Sequence, residues 1–188
     1  EGVTFPDIRP LEEKRIILLS CGQFDRAFLK KVALATEAEY GHDVISEECH
    51  LDLNPFYDPV RRQYDGDRLL RQIHLGTNTQ HTKVIGLFRV DLYIPILTYI
   101  FGQAILGKNA AIASVFRLRN ELYGLKQDEE LLLMRTIKEV IHELGHTFGL
   151  IHCHHLTCVM HSSTYAEEID LKSGSLCPDC RSILAISP

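Results

Sequence analysis

The 188-residue chain has no tryptophan, only two methionines and no Asn-x-Ser/Thr acceptor. No apolar run approaches the roughly 18 to 20 residues that a membrane-spanning helix needs, so a transmembrane segment is not expected. Excess positive charge is missing too. Twenty Lys and Arg stand against 25 Asp and Glu, for a net charge of −5 and a pI near 6.1. Partners that require a concentrated basic face, nucleic acid and anionic membrane surfaces, are therefore not expected. Residues 1–15 (EGVTFPDIRPLEEKR) lack the apolar stretch of a signal peptide, and a cytosolic location is expected. Internal repeats and low-complexity linkers are absent from the sequence.

Hydrophobic residues make up 45% of the chain, enough for a real core in one domain with a small appendage. Six cysteines allow either three disulfides or a metal site. Cys153, Cys158, Cys177 and Cys180 crowd into the last 36 residues. A cytosolic setting and a Cys-x-x-Cys pair favour metal. Cys21 and Cys49 are isolated and read as small core residues.

Arg15 to Cys21 (RIILLSC) reads as a buried strand ended by Gly22. Asp25 is suited to cap a helix through about Tyr40, with Gly41 as its stop. Val44 to Leu53 reads as a second strand. Gly66 to His74 reads as a second helix, with an allowed extension back through Arg61-Arg62. That arginine pair and Lys30-Lys31 are expected on solvated faces. Lys83 to Phe88 is a third strand, and Gly107-Lys108-Asn109 marks the turn of a hairpin within Thr98 to Leu118. Asp128 to Phe148 is a long helix opening on acidic residues. The order is that of an α/β fold with a mixed sheet. The last forty or so residues show little periodicity.

The long helix ends in His142-Glu143-Leu144-Gly145-His146. Histidines at i and i+4 share one helical face and can bind one zinc ion. At about 100° per residue they lie opposite an apolar stripe of Leu133, Ile137, Val140, Ile141, Leu144 and Phe148. A helix with two solvated histidines is the bland alternative. Against it, Gly149 permits a positive-φ break that carries His152 toward the same ion. Three nitrogen ligands leave a tetrahedral position for water, as in catalytic zinc sites.

His142-Glu143-x-x-His146-x-x-Gly149-x-x-His152 resembles the metzincin zinc-peptidase signature. Met160, the only downstream methionine, stands where metzincins carry a Met-turn. Cys153, Cys158-x-Met160 and Cys177-x-x-Cys180 resemble the narrower pattern of the archaemetzincins, with sixteen residues between Met160 and Cys177. The stretch from Gly86 to Arg119 is similar to the family as well, including Phe101, Gly102, Gln103 and Ala104.

The resemblance implies a metzincin-like fold, with a mostly parallel twisted sheet and a long active-site helix. It divides the chain into an N-terminal α/β part, 1–149, and a small irregular C-terminal part, 150–188. It also implies two zinc ions and an activity of peptide-bond hydrolysis on peptides or small proteins. His142, His146 and His152 would hold the catalytic zinc, and Glu143 would act as general base toward water. Cys153, Cys158, Cys177 and Cys180 would hold a structural zinc, with His154, His155 and His161 as competitors in a Cys₃His variant. Met160 would pack beneath the catalytic ion, and the strand Phe101 to Ala104 would pair with an extended substrate. Some metzincins place a Tyr near the zinc for the oxyanion, and Tyr165 is the candidate here. A monomer is expected. The alternatives are a latent zinc protein serving as a peptide-binding module and, less in keeping with the charge, a zinc-ribbon-like nucleic-acid module.

Overall fold

In the computed structural model, which describes residues 15–76 and 82–186, the run Arg15–Cys21 is strand β1. Ile16 and Leu18 pack to one side of it and Ile17 and Leu19 to the other. A strand buried on both faces needs such a continuous apolar run. Helix α1 (Arg26–Tyr40) follows, its first amides satisfied by the Asp25 carboxylate at 2.8 and 3.0 Å. A cap of this kind is worth about 1 kcal/mol. Gly41, at φ 65°, ends the helix in a left-handed conformation.

Strand β2 (Asp43–Glu48) pairs parallel to β1 and stops short of the expected Leu53. Beyond it, Cys49 N–H donates to the Ser20 carbonyl, one residue before β1 ends at Cys21 and Gly22 takes a φ of 135°. The short strands β3 (Tyr57–Asp58) and β4 (Gln63–Asp65) precede helix α2 (Gly66–Gly76). The allowed extension of α2 through Arg61-Arg62 does not occur. The Asp58 carboxylate accepts from the Val60 and Arg61 amides, Arg62 sits at φ 58°, and the three residues before Gly66 are strand. Arg61 is not a solvated side chain either. It donates to the Leu97 carbonyl at 2.7 Å and lies over the Tyr93 ring. Lys30 and Lys31 are exposed, as expected.

Strand β5 (Thr82–Phe88) pairs with β1, and β6 (Leu92–Tyr93) joins β3 and β4 in a three-stranded sheet. Strands β7 (Gly102–Ala104) and β8 (Ala110–Ser114) form the hairpin, with Gly107 at φ 66° in its turn. The main sheet runs β2-β1-β5-β8-β7, parallel except for the edge strand β7.

Helix α3 (Glu129–Thr147) is capped by Asp128, whose carboxylate accepts from Leu131 N–H at 2.9 Å. Its apolar stripe joins α1 and one face of the sheet in a single cluster, while α2 covers the other face. The same cluster takes in Leu150, Cys158, Val159, Met160, Leu176 and Cys180, so the C-terminal segment shares this core.

That segment is more regular than its composition indicates, with helices α4 (Ala166–Leu171) and α5 (Pro178–Ile186). Six residues are too few to register a helical period, and in α5 a cysteine occupies a core position. The segment covers the polar side of α3. Arg135 makes a bidentate pair with Asp170 at 2.7 and 2.6 Å, and Lys138 Nζ donates to the Ile169 and Asp170 carbonyls. Every residue from Arg135 to Gly145 is consequently buried. The face opposite the apolar stripe is enclosed by polar partners and is not solvated. The signal-peptide reading of residues 1–15 falls almost wholly outside the described residues.

Candidate metal centre and cleft

Helix α3 ends in a Schellman motif that sets the third histidine. Leu150 N–H donates to the Gly145 carbonyl and Gly149 N–H to that of His146, both at 3.0 Å, with Gly149 at φ 93°. Lys83 Nζ donates to the Thr147 carbonyl at 2.7 Å, placing a cation at the negative end of the helix. Beyond the break the chain doubles back, and the donor nitrogens of His142, His146 and His152 lie within 4.8 Å of one another.

Each helical imidazole is held by a backbone carbonyl. His142 Nδ1 pairs with the Val159 oxygen at 2.8 Å and His146 Nδ1 with the Leu150 oxygen at 2.7 Å. A carbonyl only accepts, so both Nδ1 atoms carry the hydrogen and both Nε2 lone pairs point inward. Those two Nε2 atoms stand 3.1 Å apart. Nitrogens at about 2.0–2.1 Å from a tetrahedral zinc stand about 3.3 Å apart, so the spacing fits that ion. Burial, followed by the Lys172 ammonium, holds the His142 imidazole well below its ordinary pKa, and burial lowers His146 and His152 as well. Neutral imidazole is the ligand form. With His142 only 5% exposed, the alternative of two solvated histidines is excluded.

Met160 is fully buried and lies in a turn closed by His161 N–H to the Cys158 carbonyl at 2.9 Å. Its sulfur packs so tightly against Gly145 that a side chain there would collide with it. This accounts for glycine between the two helical histidines.

Glu143 is buried, and burial followed by the Glu139 carboxylate pushes its carboxyl well above the usual range. It lies against Gly102 of β7, where an added Cβ would stand 2.6 Å from Glu143 Cγ and 2.7 Å from the Ile112 carbonyl. Glu143, His142 and His152 line a cleft of about 410 Å³ between the segments at 97–102 and 162–165. Gly102 belongs to the cleft wall and Phe101 is buried just before the strand. Gln103 Nε2 donates to Asp67 at 2.7 Å, and Gln103 and Ala104 pair with Ile112 and Ala111. Among the described residues, the outer edge of β7 carries no further strand of the main sheet. Tyr165 lines the same cleft and is 60% exposed.

The sulfurs of Cys153, Cys158, Cys177 and Cys180 form the other cluster, also within 4.8 Å of one another. Cys153 to Cys177 and Cys158 to Cys180 each measure 3.8 Å. A disulfide would need about 2.05 Å. Sulfurs at about 2.3 Å from a tetrahedral zinc stand about 3.8 Å apart, which agrees with both pairs. Burial pushes the Cys180 thiol up. Burial also raises Cys177, but the Cys180 amide and the neighbouring thiols outweigh it and bring that thiol down to about 7. Four thiols this close resist joint ionisation unless a cation sits among them, which fits a metal site. The Cys₃His variant is not supported. Among the described residues, the ligand atoms that converge there are the four sulfurs, and neither His154, His155 nor His161 joins them. Cys21 and Cys49 are free, buried core residues, as expected.

The sequence reading missed Glu139 and Lys172, both buried in the cleft wall. The available signal was Glu139, one helical turn before Glu143 on the signature helix; nothing local marked Lys172.

A parallel sheet with one antiparallel edge, a long helix ending in two of three convergent histidines, and an adjoining carboxylate define a zinc metallopeptidase of the metzincin type. The model of peptidase family M54 matches residues 28–185, and the chain belongs to that family, among the archaemetzincins. Archaemetzincin of Thermococcus kodakarensis is 36% identical over 174 residues, 88% of this chain and 92% of that protein. A zinc-dependent peptidase of Methanocorpusculum labreanum superposes with a TM-score of 0.82 at 28% identity, over 90% of this chain and 99% of that one. Archaemetzincin of Methanopyrus kandleri superposes at 0.79 with 33% identity, over 95% and 97%.

Proposed function

We propose that His142, His146 and His152 hold one zinc ion at the cleft, that Glu143 is the general base, and that the four cysteines hold a second, structural zinc. One observation carries the first assignment: both helical Nδ1 atoms are committed to carbonyls, with the Nε2 atoms 3.1 Å apart. Zinc in that position supplies Lewis acidity, lowering the pKa of water and polarising the scissile carbonyl. Glu143 accepts the proton of the attacking water on its carboxylate and returns it to the leaving amine. The buried wall of α3 and β7 keeps bulk solvent from that carboxylate. Met160 holds the floor beneath the histidines. The outer edge of β7, at Gly102 to Ala104 with Phe101 leading in, pairs with an extended peptide by backbone hydrogen bonds. Tyr165, across the cleft, is the side chain assigned to the developing oxyanion.

Residues 1–149 then supply the scaffold and the base, and 150–188 supply the third ligand, the Met-turn and the second metal site. The substrate is a peptide or small protein, taken by a monomer in the cytosol, where reduced thiols stay available to metal. No helix among the described residues is long and apolar enough to cross a membrane. A site blocked by its own chain would cover the histidines, whereas His152 is exposed; a module that binds peptides without cutting them is separated from the enzyme by turnover. Turnover of a fluorogenic peptide library, abolished by a chelator and restored by zinc, with two zinc ions per chain by elemental analysis, is the expected result. One zinc per chain, or cleavage indifferent to the chelator, contradicts the assignment.

A further inference from the structure

One helical turn before Glu143 on α3, the wall of the cleft contains Glu139, whose side chain is 5% exposed. Its Oε1 has no hydrogen-bond partner among the described residues. Its ion-pair partner, Lys172 Nζ, stands 3.7 Å away, too far for a short hydrogen bond, and donates instead to the His161 carbonyl at 2.8 Å. In the lining of the same cleft, the Ser163 Oγ is likewise buried and without a hydrogen-bond partner among the described residues. Leaving a buried polar atom without a hydrogen bond is costly, and here two such atoms line one cavity beside Glu143. Arrangements of this kind persist where a ligand completes them.

The cavity's polar lining narrows the chemistry of that ligand. Glu139 offers a free acceptor, and the Ser163 hydroxyl offers a donor. Lys172 and Glu139 together are neutral, so a cationic side chain gains from one what it loses to the other, as does a carboxylate. A purely apolar side chain would leave both atoms unpaired. A carboxamide carries an N–H₂ donor and a carbonyl acceptor and is uncharged.

Resting on the peptidase reading above, we propose that this cavity selects a substrate residue next to the cleaved bond that bears a carboxamide, Gln or Asn, with Glu139 accepting from its amide and Ser163 donating to its oxygen. Lys172 serves as a positioning residue that neutralises Glu139.

The test uses the zinc-loaded protein and fluorogenic peptides identical except for Gln, Asn, Leu, Lys or Glu beside the cleaved bond, on either side. The Gln or Asn peptide is expected to exceed the Leu peptide at least tenfold in kcat/KM. Ser163→Ala is expected to cut that ratio severalfold. Glu139→Gln leaves Lys172 uncompensated and is expected to move preference toward the Glu peptide, a change that loss of packing alone would not produce. Calorimetric affinities of the Glu143→Gln protein for the same peptides read the cavity without turnover and should follow the same order. Chelator-sensitive cleavage that favours Leu, with ratios unmoved in both variants, overturns this proposal and leaves the peptidase assignment standing. Failure to cleave or bind any peptide overturns both.

Discussion

The two ligand clusters meet at adjacent residues, His152 ending one and Cys153 beginning the other, and they differ in what they leave open. The histidine cluster has three donors, and His142 and His152 line a cleft of about 410 Å³. The cysteine cluster has four donors at 3.8 Å pair spacings, with Cys158 and Cys180 buried in the main core. Three donors leave a metal able to act on a substrate, whereas four leave it able only to hold chain segments together. The two are joined by the turn at Cys158–His161. Cys158 belongs to the thiol cluster, the next residue's carbonyl orients His142, and Met160 packs against Gly145. The closed centre thus braces the open one.

That contrast yields tests, the largest effect first. Replacing Cys177 and Cys180 by Ser should remove one zinc per chain and cost about 5 kcal/mol of stability. The corresponding fall in melting temperature is about 10–20 °C for a domain of this size, read by calorimetry. If zinc content and melting temperature are unchanged, the cysteines are not a structural metal site. Glu143→Gln should leave both zinc ions in place while kcat falls by about two orders of magnitude or more. Retention of full rate after purification from contaminating proteases would remove Glu143 from the mechanism.

Asp170→Ala strips the bidentate partner from Arg135, which is 5% exposed in its side chain. The carbonyl of Leu118 and the side chain of Asn120 still accept from it, so a cost of about 2 kcal/mol is expected in denaturant unfolding. An unaltered unfolding midpoint would mean that α4 is not braced through this pair. Gly102→Ala should be the mildest. The new Cβ would press on Glu143 and the Ile112 carbonyl, lowering kcat about tenfold with zinc content unchanged. Wild-type kcat in that variant would show that β7 moves aside freely.

Much of this was legible because short-range rules carry it. Two histidines four apart on a helix face one way whatever surrounds them, and Gly149 after the helix announces a positive-φ exit. The apolar run of β1 is long and continuous, and Asp25 and Asp128 are caps that act within three residues of themselves. The end of β2 was not legible, since it depends on where its neighbour β1 ends. Arg61 looked like surface charge because its acceptor, the Leu97 carbonyl, lies 36 residues downstream. The regularity of α4 and α5 was hidden by their shortness and, in α5, by Cys180 standing where an apolar residue would mark a period.

By itself, then, the sequence determined the ligand types, their spacing along the chain and the helix that presents two of them, because these follow from local geometry and side-chain chemistry. Only the tertiary structure decided that the polar side of α3 would be covered, that Glu139 and Lys172 would meet in the cleft wall, and that Val159 would orient His142. Those outcomes depend on which distant segments pack together, and packing is settled by the whole core at once.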